Sequence, residues 1–345
     1  ADVSGVIKID GIPNAMNGSA DLRLGPGKIA GETLESMTAR ATFSGSKVDV
    51  ASVDVRLAAG HVVASGNFIT TTKAFDFQGK AEGVDLSRLT ALSNRPGTPA
   101  VTGIADFNGH IVGNLSQPDF SSYQINFDGQ GRNVTINGKP AGTIALGGKT
   151  ENKQLTITLT SDLLGQPQVV AAKINLAGER LPASVETTLT NADLTKLLSI
   201  LLPTTTVRVS GLATGTIKAS GDLLDEDGYF SIAGLTGSAS FSELNFKVED
   251  VQLTAAAPLV VRFAPGEIIL DGARFTGPGT NISLDGRLAT ARGGNENLNV
   301  NGSLNLRVLN GLSPDFFSSG TAEVAVRISG TFEDPRLIGT ASVAG

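Results

Sequence analysis

Along most of the chain apolar and polar residues alternate with a period of two, in runs bounded by Gly, Asn, Asp or Pro. This is the pattern of half-buried antiparallel strands, one face toward a core and one toward water. "KVDVASVDVRL" carries Val48, Val50, Val53, Val55 and Leu57; "QLTITLT" carries Leu155, Ile157 and Leu159; "NLNVNGSLNLRV" carries Leu298, Val300, Leu304 and Leu306. The pattern predicts an all-β fold, an elongated, repetitive antiparallel sheet of meandering strands joined by short turns.

The alternation is itself repeated. Three similar phrases open at Gly103, Gly211 and Gly320, 108 and 109 residues apart, and each has a second Gly ten residues on, at Gly113, Gly221 and Gly330. A second register agrees. The 26 residues from Phe43 align without a gap to those from Phe263, an offset of 220, pairing Val48 with Ile268, Val50 with Leu270, Val55 with Phe275, Val62 with Ile282 and Gly66 with Gly286. These spacings predict one continuous repetitive segment over 1–345 with units near 1–118, 119–226 and 227–345, each burying apolar surface on the next. The middle unit fits less well around "KQLTITLTSDLLGQPQVVAAKINLAG", where an insertion or deletion is expected. At roughly 11 residues per strand and turn, the chain would supply about 30 strands and a body on the order of 140 Å long.

Ahead of each Gly phrase the apolar spacing becomes helical. In "NADLTKLLSILLP", Asn191 is placed to cap, Asp193 falls in the first turn, Leu194, Leu197, Leu198 and Leu201 form a stripe, and Pro203 stops it. Leu86, Leu89 and Leu92, and Leu306, Leu309 and Leu312, repeat the theme, with strand as a competing reading for the third. The expected role is a short lid or plug packed on the sheet.

Composition narrows the chemistry. The chain has no Cys, which excludes disulfides, zinc–thiolate sites and Cys nucleophiles, and its net charge of −6 comes without any basic cluster, so it offers no nucleic-acid-binding face. "LLSILL" is far shorter than a membrane span, and the first residues, "ADVSGVIKID", do not resemble a signal peptide. His61 and His110 are 49 residues apart, each within a strand-like run, and read as edge or solvent-facing positions. No nucleophile-elbow, zinc-protease or phosphate-loop motif is present. The best metal candidate, Asp222, Asp225, Glu226 and Asp227 before Gly228, lacks the distal Glu of a calcium loop and reads as a solvated turn. With no Trp and two Tyr there are few platforms for a sugar. The expectation is a protein that is not an enzyme, with no cofactor and no metal.

A long sheet that is apolar on one side must cover that side with a second sheet, by closure, or with an apolar ligand. An acyl chain would gain ~0.8 kcal/mol per buried CH₂, uniformly along its path, which favours sliding over trapping. The phrase "FAPGEIILDGARFTGPGTNISLDGRL", with "GTAEVAVRISGTFEDPRLIGTASV", resembles the AsmA-like superfamily, most closely its TamB-type members. That resemblance, which covers nearly the whole chain through its repeats, implies a sheet curled into an apolar groove (a β-taco), crossing the periplasm from an inner-membrane anchor. It implies phospholipid acyl chains as cargo moving toward the outer membrane, and an outer-membrane barrel assembly protein as a partner for parts outside this chain. Lacking an anchor, the chain is expected to be an interior fragment. The resemblance transfers no catalytic motif, only groove positions: Val48, Val50, Val55, Leu57, Leu155, Ile157, Leu159, Ile268, Leu270, Phe275, Ile282 and Leu284, each of which could equally be ordinary sheet core. The alternative is a structural or adhesive surface β-solenoid with a dry core, which would need rungs of about 20 to 25 residues. An outer-membrane barrel would need aromatic girdles that 5% aromatic residues do not supply.

Overall fold

The run from Lys47 to Leu57 changes phase part-way: Val48 and Val50 occupy even positions, Val53, Val55 and Leu57 odd ones. On a regular strand its two halves would face opposite sides of the sheet. In the computed structural model a bulge between Val50 and Val53 absorbs the change, so all five keep one face. The structure describes residues 3–11, 16–29, 31–90, 100–117, 119–201, 209–231, 234–289, 294–311, 318–331 and 334–344.

The protein is all-β, with 22 strands among the described residues, antiparallel in every described pairing. The number falls short of the ~30 expected from an 11-residue strand-and-turn unit, because several strands reach 14 residues and helices take up part of the chain. Residues divide into two compact units, the first 1–161, 171–183 and 222–232, the second 162–170, 184–221 and 233–345.

The first unit contains β1 (Val3–Asp10), β2 (Met16–Leu24), β3 (Gly27–Ile29), β4 (Glu32–Gly45), β5 (Lys47–Leu57), β6 (Gly60–Ile69), β7 (Ala74–Asp85), β8 (Val101–Asn114), β9 (Gln124–Ile136), β10 (Lys139–Glu151) and β11 (Gln154–Ser161). Strand β2 pairs with β1 and β4, β3 makes a small hairpin on β4, and from β4 each strand pairs with the next. Strands β12 (Gln168–Asn175) and β13 (Pro182–Asp193) draw residues from both units. The second unit continues with β14 (Val209–Asp222), whose last residue counts with the first unit, β15 (Thr236–Val248), β16 (Val251–Ala255), β17 (Leu259–Ala264), β18 (Glu267–Gly277), β19 (Thr280–Ala289), β20 (Asn295–Asn305), β21 (Thr321–Thr331) and β22 (Pro335–Ala344). Here β16 and β17 both bridge β15 to β18, and the ladder then runs in order to β22.

The 220-residue offset holds pair by pair. Phe43 opposes Val48 as Phe263 opposes Ile268; Val50 opposes Gly66 as Leu270 opposes Gly286; Val55 opposes Val62 as Phe275 opposes Ile282. The bulge recurs too, between Leu270 and Ala273. The middle stretch departs as expected: β11 has 8 residues where β5 and β18 have 11, and six residues connect it to β12. Each Gly phrase is one strand, β8, β14 or β21, and β1 stands as a fourth copy. Ile9 opposes Gly18, which opposes Phe43, just as Ala219 opposes Gly237, which opposes Phe263, so Gly11 takes the place of Gly221. The sequence period misses this copy because Gly11 precedes Gly113 by 102 residues rather than 108.

All three helical segments form, and each starts directly after a strand. Leu86–Arg88 and Leu306–Gly311 are 3-10 turns, and Leu194–Leu201 is the α-helix α1. The cap of α1 is Asp193 rather than Asn191: its Oδ1 accepts the N–H groups of Thr195 (2.8 Å) and Lys196 (3.2 Å). Asn191 instead sits in β13 at φ 48°, where its N–H donates to Thr214 Oγ1; Gly83, 108 residues earlier, does the same to Asp106 at φ 62°. Asp85 and Asn305 fill the cap role in the other copies. Asp85 lies 18 residues before Gly103, and Asn305 15 before Gly320. The third copy is therefore three residues shorter, and Leu306 corresponds to Leu86 and Leu194 rather than to Leu89 and Leu197. Leu92, Pro203 and Leu312 lie outside the described residues.

The Ser87 hydroxyl (2.6 Å), the Ser87 N–H (3.0 Å) and nearby Arg88 hold the Asp85 carboxyl below its ordinary value, outweighing its partial desolvation. A depressed carboxyl contributes stability that is complete above the ordinary Asp range of about 3.9 and is lost as pH falls through the lower folded value. The Asp85 side-chain carbon is thus expected to titrate below ordinary Asp by NMR, and Ser87→Ala to move it upward. An Asp85 curve unchanged by that substitution would contradict the assignment.

Candidate apolar binding site

In a sheet, directly opposed residues share a face, so pairing registers trace rows across strands. In the first unit one row runs from Leu24 through Met37, Val55, Val62, Ala81, Phe107, Gly129 and Leu146 to Leu159. A second runs from Leu22 through Ala39, Val53, Ala64, Gly79, Gly109, Phe127 and Gly148 to Ile157. A third follows Ala20, Ala41, Val50, Gly66, Phe77, Ile111 and Ile125, and a fourth Gly18, Phe43, Val48, Phe68, Phe75 and Gly113. None contains a charged residue.

Aromatic rings lie over glycines of the neighbouring strands. A Cβ at Gly129 would stand 2.3 Å from the Phe107 ring, one at Gly148 2.2 Å from Phe127, and one at Gly66 2.6 Å from Phe77. At Gly129 and Gly148 the ring takes the space a side chain would need, and at Gly66 the ring and the Asp76 carbonyl take it together. The large side chains of this face, Val55, Val62, Phe77, Phe107, Ile111, Phe127 and Leu159 among them, are only half-buried. Sealed packing in this unit includes a small cluster of Leu155, Ile174, Leu176 and Ala183. A face under a complete second layer would have its large residues buried throughout.

The second unit has the same face, more fully covered. Rows such as Val261, Leu270, Gly286, Leu298, Ile328 and Leu337 cross it, and α1 and the 306–311 turn pack Leu194, Leu197 and Val308 into a core with Leu189, Phe241, Phe275 and Leu304. Between α1 and strands β14, β15, β17 and β18 a cavity of about 510 Å³ remains. Leu197 and Leu198 line it at the helix, Phe241, Leu244 and Val261 along the sheet, and Phe263 and Ile268 toward the β17–β18 turn; Glu267 is the single charged lining residue among the described residues. Such a volume lies in the ordinary range of ligand sites.

Of the twelve positions proposed from sequence, all lie on the apolar face of their unit. Leu155, Phe275 and Ile282 are buried and serve as core, with Phe275 also reaching the cavity, and Ile268 lines it. Leu57 opposes Leu34, which is 2% exposed. The sequence reading omitted Phe77, Phe107 and Phe127, whose signal was the recurrence of Phe two residues before Gly in "FQGK", "FNGH" and "FDGQG".

The opposite face is polar. Ion pairs such as Arg262–Asp271 (2.6 Å), Arg132–Asp106 (2.7 Å) and Lys47–Asp49 (2.6 Å) cross it between or along strands. Both histidines belong to it, His61 on Asp54 (3.0 Å) and His110 on Asp76 (2.7 Å). The acidic stretch before Gly228 folds on itself: Asp225 Oδ1 accepts the N–H groups of Asp227 and Tyr229. Among the described residues no cluster of three or more metal-ligating side chains occurs, and no helix is long and apolar enough to cross a membrane. Comparison of the chain with protein-family models, curated proteins and solved structures finds no match.

Proposed function

We propose that the uncharged face shields phospholipid acyl chains, and that the chain is a non-enzymatic segment of a bridge carrying lipid between two membranes. The observation that carries this reading is the continuity of the apolar rows across the first unit while their large side chains stay half-buried. A surface so apolar and so incompletely covered calls for a further apolar partner. Acyl chains fit because the rows are uniform and uncharged, whereas a protein partner's interface carries anchors and a polar rim. The resemblance of the Gly phrases to AsmA-like, TamB-type proteins supports the same reading. It adds a periplasmic location, an inner-membrane anchor outside this sequence, a sheet curled into a groove, and a contribution to outer-membrane protein assembly with a barrel partner.

The antiparallel ladder between consecutive strands favours this reading over a β-solenoid, whose short rungs stack on one another about a closed core. Purified protein incubated with phospholipid vesicles and reisolated is expected to carry phospholipid detectable by native mass spectrometry. Protein that neither retains lipid from its host nor gains any from vesicles would overturn the reading.

A further inference from the structure

Taking the proposed acyl-chain binding as given, we infer that a recess in the apolar face of the first unit seats one acyl chain at right angles to the strands, and that Gly109 is the position that keeps this seat open. The recess has a volume of about 390 Å³ and extends over β6, β7, β8 and β9. Val62, Ala81 and Phe107 wall it on one side, and Phe77, Ile111 and Ile125 on the other. Ala64, Gly79 and Gly109 form the base between the two walls. The polar residues that complete the recess alternate with these along β7, β8 and β9 and carry their side chains on the other face.

Along any one strand the recess is bounded by side chains on both sides. Across the strands it runs from Ala64 over Gly79 and Gly109 to Phe127, whose ring leans over Gly148. Three inter-strand steps make this run about 14 Å long. One leaflet of a ~30 Å hydrocarbon core allots an acyl chain about 15 Å. The length and the uncharged lining therefore suit one chain laid across the strands.

The glycines of the base differ from their neighbours. Gly66, Gly113, Gly129 and Gly148 each have an aromatic ring of this chain in the space of the missing side chain. A Cβ at Gly109 would meet only Phe127 Cβ at 3.6 Å and Asn126 O at 3.7 Å, both ordinary contacts, and the backbone there is outside the left-handed region. Neither packing nor conformation among the described residues calls for glycine at this position. Glycine inside a strand weakens it, and is placed where another group lies close against the backbone. At Gly109 an alkyl chain lying against β8 is that group.

The test uses vesicles of phosphatidylcholine doped with phosphatidylcholine carrying a diazirine midway along one acyl chain, irradiated with the full chain and mapped by peptide mass spectrometry. Crosslinks are expected at Phe77, Phe107 and Ile111, and a diazirine at the chain end should move them to a different strand, toward Ala64 or Phe127. Gly109→Leu fills the recess and should lower the crosslink yield about tenfold. Its urea midpoint should equal or exceed that of the wild type, because a side chain in an allowed conformation restricts the unfolded chain. Gly147→Leu is the control: Gly147 opposes Asp128 and Thr158 on the polar face, and its Cβ would meet only Phe127 O at 3.7 Å, so the crosslinks should persist. If Gly109→Leu fails to fold by circular dichroism, Gly109→Ala decides, by a reduced or an unreduced yield. Undiminished crosslinking in folded Gly109→Leu, an equal loss in Gly147→Leu, or mid-chain and chain-end crosslinks on one strand would overturn the inference while leaving acyl-chain binding standing. A wild type that takes up no lipid would overturn both.

Discussion

Gly286→Ala is expected to destabilise the second unit by about 3 kcal/mol, while Gly272→Ala, fourteen residues away on the same hairpin, should cost about 1 kcal/mol. The difference lies in what a methyl group would meet. At Gly286 a Cβ would stand 2.1 Å from Asn297 O and 3.0 Å from Leu298 Cα, on a backbone already at φ 136°. Both are backbone atoms of β20, held by the pairing of Asp285 with Asn299 and Gly286 with Leu298, so relief requires parting two strands. At Gly272, in the bulge, φ is 65° but nothing lies within 4 Å of the new methyl, leaving only the left-handed conformational cost. The repeat extends the prediction: a Cβ at Gly66 would approach Asp76 O to 2.1 Å, so Gly66→Ala should resemble Gly286→Ala. Urea unfolding followed by circular dichroism gives the three values. Equal costs for Gly272 and Gly286 would contradict the register.

Val50→Asp combined with Leu270→Asp is expected to lower phospholipid uptake roughly a hundredfold, the equivalent of ~2.7 kcal/mol, with the fold retained. These residues are equivalent across the 220-residue offset, opposed to Gly66 and Gly286 respectively, and both are half-buried. A carboxylate at either can reach water in the free protein, but an acyl chain crossing the face would have to bury it. Ile269→Asp is the control, since Ile269 opposes Arg262 and Arg287 on the polar face and should leave uptake unchanged. Loss of folding in the double variant would instead assign Val50 and Leu270 to core. Retained folding with unchanged uptake would remove them from the ligand path.

The fold class, the three helical segments and the 220-residue register were legible in sequence because each rests on local periodicity. Pairing in this sheet is mostly between neighbours in the chain, so local pattern and tertiary contact coincide. What escaped came from places where the period breaks. The bulges at Val50/Val53 and Leu270/Ala273 shift the parity of the apolar positions by one, and only the partner strand reveals that the face is preserved. The cap of α1 was misplaced by two residues because Asn191 and Asp193 are both good capping types; the N–H groups of Thr195 and Lys196 that Asp193 accepts decide between them. Phe107 and Phe127 were passed over in sequence; the opposed glycines, where an added Cβ would stand 2.3 and 2.2 Å from their rings, single them out.

The central claim, that the half-buried apolar face holds acyl chains, is tested most directly by native mass spectrometry of the purified protein after incubation with phospholipid vesicles. The account predicts phospholipid-sized mass increments on the wild type that are lost in Val50→Asp/Leu270→Asp and kept in Ile269→Asp. A wild-type spectrum free of lipid, from protein shown to be folded, would contradict it.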